Sequence, residues 1–295
     1  MFNFLPSSVL QMSTIFLSII IEALPFVLLG CLISGALQTF LTPARVKKIL
    51  PKNKFLSIIV GSLLGFFFPS CECGIVPIVN QFMRKGVPTY TAFAFMMTAP
   101  IINPIVIFST FIAFSNSFRF ALLRILGSLF VSLLISSWIA YLHKGPVLKE
   151  SWHEHSFDAE PSVSKKEKML SFFAHSIDEF FDTGRYLIFG SILAAAMQTY
   201  LPTSFMLQLG STKLISILIM LVLAFTLSLC SEADAFIGSS LLSLFGTAPV
   251  VAFLVFGPMV DIKNLMMMRQ YFQGKFIFKF VVFVAIAVTI FAYLV

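Results

Sequence analysis

Three cysteines and four carboxylates stand in this chain where side chains that serve only packing are not expected. Cys71, Glu72 and Cys73 form a Cys-Glu-Cys triplet bracketed by Pro69, Gly74 and Pro77, inside an apolar stretch. A related run, Leu229-Cys-Ser-Glu-Ala-Asp-Ala-Phe236, carries Cys230, Glu232 and Asp234. Thiolates are soft ligands suited to soft metal ions. The Cys71 and Cys73 pair, approached by Cys230, is therefore a candidate metal-ligating set. A charged side chain at the centre of a bilayer costs at least ~2.5 kcal/mol, so Glu72, Glu232 and Asp234 are candidates for ion or solute contact.

Two further interruptions carry polar groups. In Met97-Thr-Ala-Pro-Ile-Ile-Asn-Pro104 and in Phe256-Gly-Pro-Met-Val-Asp-Ile-Lys-Asn264, a proline next to a small residue precedes an amide or an acid. Pro100, Asn103 and Asp261 join the candidate pathway on this ground. Proline removes an amide donor and glycine permits unusual backbone angles, so helices break at such places. Inside a membrane a break is tolerated only where protein or a water-filled cavity satisfies the freed groups. Half-helix N-termini at the breaks favour an anionic or electron-rich ligand, and exposed carbonyls favour a cation.

The elements that hold these residues must be membrane helices. Of 295 residues, 58% are hydrophobic and 11% charged, which excludes an ordinary water-soluble domain. Apolar stretches near 13–41, 55–83, 88–114, 118–142, 176–201, 214–229 and 276–294 mostly reach the ~20 residues a spanning helix needs. The expectation is an all-α, polytopic helical membrane protein with about eight spanning helices, broken at the centre. The first stretch lacks a charged leader and contains Glu22, so it reads as a mature helix rather than a signal peptide. The net charge of +7 comes from Lys and Arg beside apolar spans, a topology signal and not a sign of nucleic-acid binding. With eight crossings, Arg45 to Lys54, Arg119, Arg124, Lys213 and the Lys263 to Lys279 group fall on the cytoplasmic side, and both termini and the linker outside; five crossings per half would invert the repeat and bring the linker inside.

Two halves share one plan. At an offset of about 160 residues, Glu22-Ala-Leu-Pro-Phe-Val-Leu-Leu-Gly30 falls on Asp182-Thr-Gly-Arg-Tyr-Leu-Ile-Phe-Gly190, and Gln38-Thr-Phe-Leu falls on Gln198-Thr-Tyr-Leu. A one-residue slip sets Cys71 on Cys230, while Glu72 pairs with Glu232 at the original offset. The division is a first membrane repeat at 1–142, a polar linker at 143–175 and a second repeat at 176–295. Duplicated membrane halves are common among secondary transporters, whose substrates bind where the repeats meet.

Pro69-Ser-Cys-Glu-Cys-Gly-Ile-Val-Pro77, Thr98-Ala-Pro-Ile-Ile-Asn-Pro104 and Cys230-Ser-Glu-Ala-Asp-Ala-Phe236 resemble the signature of a bacterial "predicted permease" family, and the resemblance covers nearly the whole chain. Some members are efflux permeases for trivalent organoarsenicals. The resemblance implies a plasma-membrane location, about eight spans and a second small membrane protein as partner. It marks Cys71, Glu72, Cys73, Pro100, Asn103, Cys230, Glu232 and Asp234 as positions to test.

Other signals have plainer readings. Cys31 stands alone and reads as packing. Glu22 and Asp182 either line the pathway or lie near a water interface. His153 and His155 read as solvated linker residues rather than zinc ligands, and Met266 to Met268 as packing. No Walker-type phosphate loop and no His-Glu-x-x-His pattern occurs, so ATP-driven pumping and zinc proteolysis have no positive signal. The expected function is a secondary permease that moves a small solute or ion, a soft-metal or metalloid species among the candidates, across the plasma membrane through a cavity at the repeat interface. It is expected to be no enzyme and to need no cofactor. The alternative is a non-transporting integral membrane subunit of an envelope complex.

Overall fold

Among the described residues the long apolar stretches of this chain are resolved into helices. The computed structural model describes residues 7–40, 50–51, 53–68, 71–143, 145–149, 165–200 and 212–295. Arg45, Lys47, Lys48, Lys52, Pro69, His153, His155 and linker residues 150–164 lie outside the described residues. The first half holds α1 (Ser7–Phe40), α2 (Lys54–Leu64), α3 (Glu72–Arg84), α4 (Thr89–Ile102), α5 (Pro104–Ala113) and α6 (Phe118–Tyr141). The second holds α7 (Lys165–Tyr200), α8 (Lys213–Leu227), α9 (Ser231–Phe245), α10 (Thr247–Phe256), α11 (Ile262–Tyr271) and α12 (Gly274–Leu294). Among the described residues each half thus runs through the same order: a long helix, four short ones and a long one. Helix α7 passes continuously through position 175, where the linker was expected to end.

The short helices follow from local chemistry. Asn53 and Thr212 accept hydrogen bonds from the amides of Phe55 and Ile215 and so start α2 and α8. Helix α2 tightens into a 3-10 turn at Gly65–Phe67, and α8 stops where Ser228 adopts a left-handed conformation, φ 47°. Pro77 and Pro100, by contrast, sit inside α3 and α4; the break after α4 comes at Asn103, whose own side chain opens α5.

Among the described residues three helices, α1, α6 and α12, are long and apolar enough to cross a membrane, and a fourth is added if the pair α4 and α5, bent by 40°, counts as one span. The stretch at 55–83, counted as a span from composition, is instead the two short helices α2 and α3. This is a helical membrane protein of the multi-pass kind. Many large apolar side chains on its outside, such as Ile21, Phe67, Phe108 and Phe189, are exposed, as lipid contact allows.

The matched long helices run antiparallel. Ser34 of α1 meets Glu179 of α7, while Ile19 joins Ala194 at the other end of the pair. Likewise the Phe130 and Phe291 rings are 5.6 Å apart, and Trp138 lies against Phe283 at 4.4 Å, so α6 and α12 are antiparallel too. Antiparallel pairing of like elements is the arrangement an inverted repeat has. The ends sort accordingly. Lys54 Nζ donates to the Ala140 carbonyl at 3.3 Å, and the amide of Gln273 donates to Val147 at 2.9 Å, on the face where the linker begins. Lys213 Nζ reaches the Tyr293 carbonyl at 2.9 Å on the opposite face.

Helices α4 and α10 form the core and are buried along most of their length. Phe93 of α4 packs edge-on to Phe272, Phe276 and Phe280, at 5.2, 5.1 and 5.5 Å. Small residues allow the closest approaches, as membrane packing favours. A Cβ at Gly61 of α2 would lie 2.6 Å from the Thr91 carbonyl oxygen of α4, and one at Gly65 would lie 2.7 Å from the Ala99 Cα. Gly61→Val should therefore lower the unfolding temperature of the detergent-purified protein, by an amount equivalent to about 1–3 kcal/mol. Unchanged thermal unfolding would show that α2 does not depend on this approach.

Candidate solute and ion site

The site is built from four helix starts. Helices α3 and α9 each begin directly after a cysteine in extended conformation, Cys71 at φ −77°, ψ 171° and Cys230 at φ −73°, ψ 152°. Neither cysteine side chain caps its helix. The first-turn carboxylates, Glu72 in α3 and Glu232 and Asp234 in α9, stand at the positive ends instead. Helices α5 and α11 are capped in a matched way: Asn103 accepts from the Val106 amide at 2.9 Å, and Asp261 from the Asn264 amide at 2.6 Å. Helix α3 packs on α11, and α9 packs on α5.

Matched positions meet at the junction of the halves. Cys71 lies close enough to Cys230 and Cys73 to interact with both. One residue on, Ser231 Oγ donates to Glu72 Oε2 at 3.1 Å. The sequence offset paired Glu72 with Glu232, but the cysteines that precede the two helices align Glu72 with Ser231, and those two residues touch. The three thiols are thus brought together. Among the described residues, however, no group of three or more His, Cys, Asp or Glu side chains has the arrangement of a metal site.

Two buried cations answer the carboxylates. Lys263 Nζ lies 3.8 Å from Glu72 Oε1 and 3.8 Å from Asp261 Oδ2. Arg124 donates to the Leu254 carbonyl at 3.0 Å, to Thr110 Oγ1 at 2.8 Å and to the Ser231 carbonyl at 2.8 Å. Both were expected among the cytoplasmic charges, and this is corrected: each is only 1% exposed. Their positions carried the warning, since Lys263 follows Asp261 by two residues in a broken segment and Arg124 lies inside α6. Asp234 Oδ2 has no hydrogen-bond partner and fits against Gly257, where a Cβ would come within 2.8 Å of it. Glu232 is partly buried, and Glu22, exposed on α1, acts on it electrostatically. Pro100 and Asn103 are buried in the adjoining bend, where Asn103 also donates to the Ala99 carbonyl at 3.3 Å.

A second polar cluster, absent from the sequence reading, lies between α1, α3 and α7. Gln81 Nε2 bonds Gln38 Oε1 at 3.1 Å and His175 Nε2 at 2.9 Å. His175 in turn pairs with Glu179 at 3.5 Å, and Ser34 donates to Glu179. Its signal in the sequence was the spacing of His175, Glu179 and Thr183, which places all three on one face of α7. Asp182 binds Arg185, three residues along the same helix.

Comparison with known proteins agrees with a membrane permease. The chain matches the family described as "Predicted permease" over residues 8–295. It is 58% identical over 280 residues, 95% of this chain and 93% of the other, to a Streptococcus mutans protein provisionally named as a subunit of a two-component membrane permease complex. It is 47% identical over 283 residues, 96% of each chain, to the UPF0718 protein YcgR of Bacillus subtilis. It is also 23% identical over 250 residues, 84% of this chain and 70% of the other, to the UPF0718 protein YraQ of Escherichia coli. No solved structure matches.

Arg124→Leu would leave two backbone carbonyls and the Thr110 hydroxyl without their donor and remove the cation nearest Glu232 and Asp234. Breaking a buried charge network in this way costs about 3–5 kcal/mol. The expected result is a sharp loss of folded protein in membranes, with partial recovery in Arg124→Lys. Normal abundance and melting of Arg124→Leu would contradict this role.

Proposed function

This chain belongs to the predicted-permease family, a multi-pass protein of the bacterial cell membrane, and we propose that it is a secondary permease whose solute passes between the two halves at the four converging helix starts. The carrying observation is an imbalance of buried charge. Glu72, Asp234 and Asp261 are buried and Glu232 partly so, against Lys263 and Arg124, and oxygens of the first three lack hydrogen-bond partners. Carboxylates inside a membrane protein that exceed their countercharges suit a cationic or proton-exchanging pathway. The three neighbouring thiols extend the range to soft metals and metalloids as solutes. On this reading nothing is chemically transformed, and an ion gradient or the solute's own gradient supplies the energy.

The reading includes a topology. Six crossings, made by α1, α4 with α5, α6, α7, α10 with α11, and α12, would enclose two hairpins, α2 with α3 and α8 with α9, that enter from opposite faces and turn back at the centre. The linker face carries Arg84, Lys85, Lys149, Arg269 and Lys275 and is cytoplasmic by the positive-inside rule. Linker and cytoplasm then coincide, and the repeats are inverted. The name of the Streptococcus mutans relative supports a second membrane protein as partner.

A deletion strain should accumulate at least one compound from a panel of metals, metalloids and organoarsenicals that the wild-type strain clears. Glu72→Gln, Glu232→Gln and Cys71→Ser should insert at normal abundance yet restore less than about a tenth of the clearance. Wild-type clearance by both acid variants would sink the pathway, and equal content in both strains across the panel would favour the non-transporting subunit.

A further inference from the structure

Helices α1 and α7 cover only one of two matched surfaces. Helix α1 packs on α3 and α7 on α11. The Gly30 backbone lies directly against Gly74, Gln81 bonds Gln38, and Thr183 bonds Tyr271 at 3.2 Å. Matching the halves turns the α3 and α11 surface into the α9 and α5 surface. Those two helices also pack on each other, yet among the described residues neither α1 with α5 nor α7 with α9 packs closely. The consequence is visible in exposure. Residues Glu72 to Gln81 of α3 are buried, whereas Phe108 of α5 and Leu244 of α9 are 63% and 68% exposed.

The α1 and α7 pair is itself antiparallel and nearly self-matched, with Gly30 standing opposite Gly190 in the repeat and Gln38 opposite Gln198. It can therefore form with α9 and α5 the contacts it now forms with α3 and α11. The surfaces are matched in position but not in polarity, since α3 and α11 bury Asn80, Gln81, Lys263 and Gln270 where α5 is largely apolar, so the second packing is the minor one, and a minor state a few kcal/mol higher is still populated.

We propose that α1 and α7 rock as one unit between the two surfaces, giving the central carboxylates two alternating entrances, and that Glu22 and Glu232 line the entrance open in this structure. The inference rests on the permease reading for its purpose but not for its test. Toward the linker face, the route is closed by the contacts of Gln38, Gln81, His175, Glu179 and Ser34. Toward the other face, Glu22 is exposed about halfway along α1 and acts on the partly buried Glu232. An exposed carboxylate at that depth is costly against lipid and tolerable beside water. In the counterpart state Asp182, the matched acid of α7, would take the place of Glu22 on the linker side.

The repeat names the cross-links that decide this. Gln38→Cys with Gln81→Cys reports the packing seen here; its counterpart is Gln198→Cys with Ser240→Cys, joining α7 to α9. In native membranes treated with a mild oxidant, peptide mass mapping should find both engineered disulfides. Each should cut clearance of the transported compound by at least about tenfold, reversed by reductant. Ser240 is exposed, so Ser240→Cys alone should fold and transport normally, and the other single variants, which lose hydrogen bonds of Gln38, Gln81 or Gln198, serve as the reference against which each disulfide is read. Formation of the first disulfide without the second, or unaltered clearance with either closed, would overturn the proposal. If wild type clears nothing, the permease reading fails while the two cross-links still decide the motion.

Discussion

Arg124 is wholly enclosed, and a guanidinium taken out of water must find its hydrogen bonds in the protein or cost several kcal/mol. Its partners come from three other helices: the Thr110 hydroxyl of α5 and the carbonyls of Leu254 in α10 and Ser231 in α9. To supply them, α9 must begin at the centre of the molecule, where its first carbonyls are reachable, and α10 must pass beside α6. The requirement of one buried cation thus fixes how the second half docks on the first. Lys263 acts in the same way across the junction, tying Glu72 of α3 to Asp261 at the start of α11.

The central charges are tolerable because the helices are broken there. Each start leaves backbone N–H groups and a partial positive charge pointing into the junction. Asn103 and Asp261 satisfy part of this demand at α5 and α11. At α3 and α9 the preceding cysteines do not, which leaves the first-turn acids to face the field. Continuous spanning helices would have placed the same carboxylates along a closed backbone, with neither amides nor dipole ends to stabilise them.

The two halves agree in element order but not in surroundings. Among the described residues the same pair of long helices packs against α3 and α11 and not against α9 and α5, and the covered surface is the more polar one, with Asn80, Gln81, Lys263 and Gln270 buried in it. An arrangement that is symmetric in its parts and asymmetric in its packing is the kind from which alternation is proposed above, by the rocking that transporters built from inverted repeats use. The polar seam at His175 and Glu179 belongs to that asymmetry, because Gln81 of α3 joins it to the cover through Gln38 and His175.

Much of this was legible in the residues themselves. Apolar content forced a helical membrane protein, because no other use of such a composition buries its backbone groups in lipid. Cys71, Glu72, Cys230, Glu232 and Asp234 announced themselves by being polar or reactive in apolar runs broken by proline and glycine. The match of Gln38 to Gln198 exposed a common plan by identity alone. What composition could not supply was direction and proximity. An apolar stretch such as 55–83 has the same hydropathy whether it crosses or turns back, so composition alone does not fix the number of crossings. Arg124 and Lys263 looked like topology signals because a charge in sequence carries no depth. Only the tertiary structure set α1 antiparallel to α7, brought Ser231 rather than Glu232 onto Glu72, and left one of two matched surfaces uncovered. These are outcomes of packing between segments more than a hundred residues apart, where close backbone approach and the satisfaction of buried charge decide and local sequence has no vote.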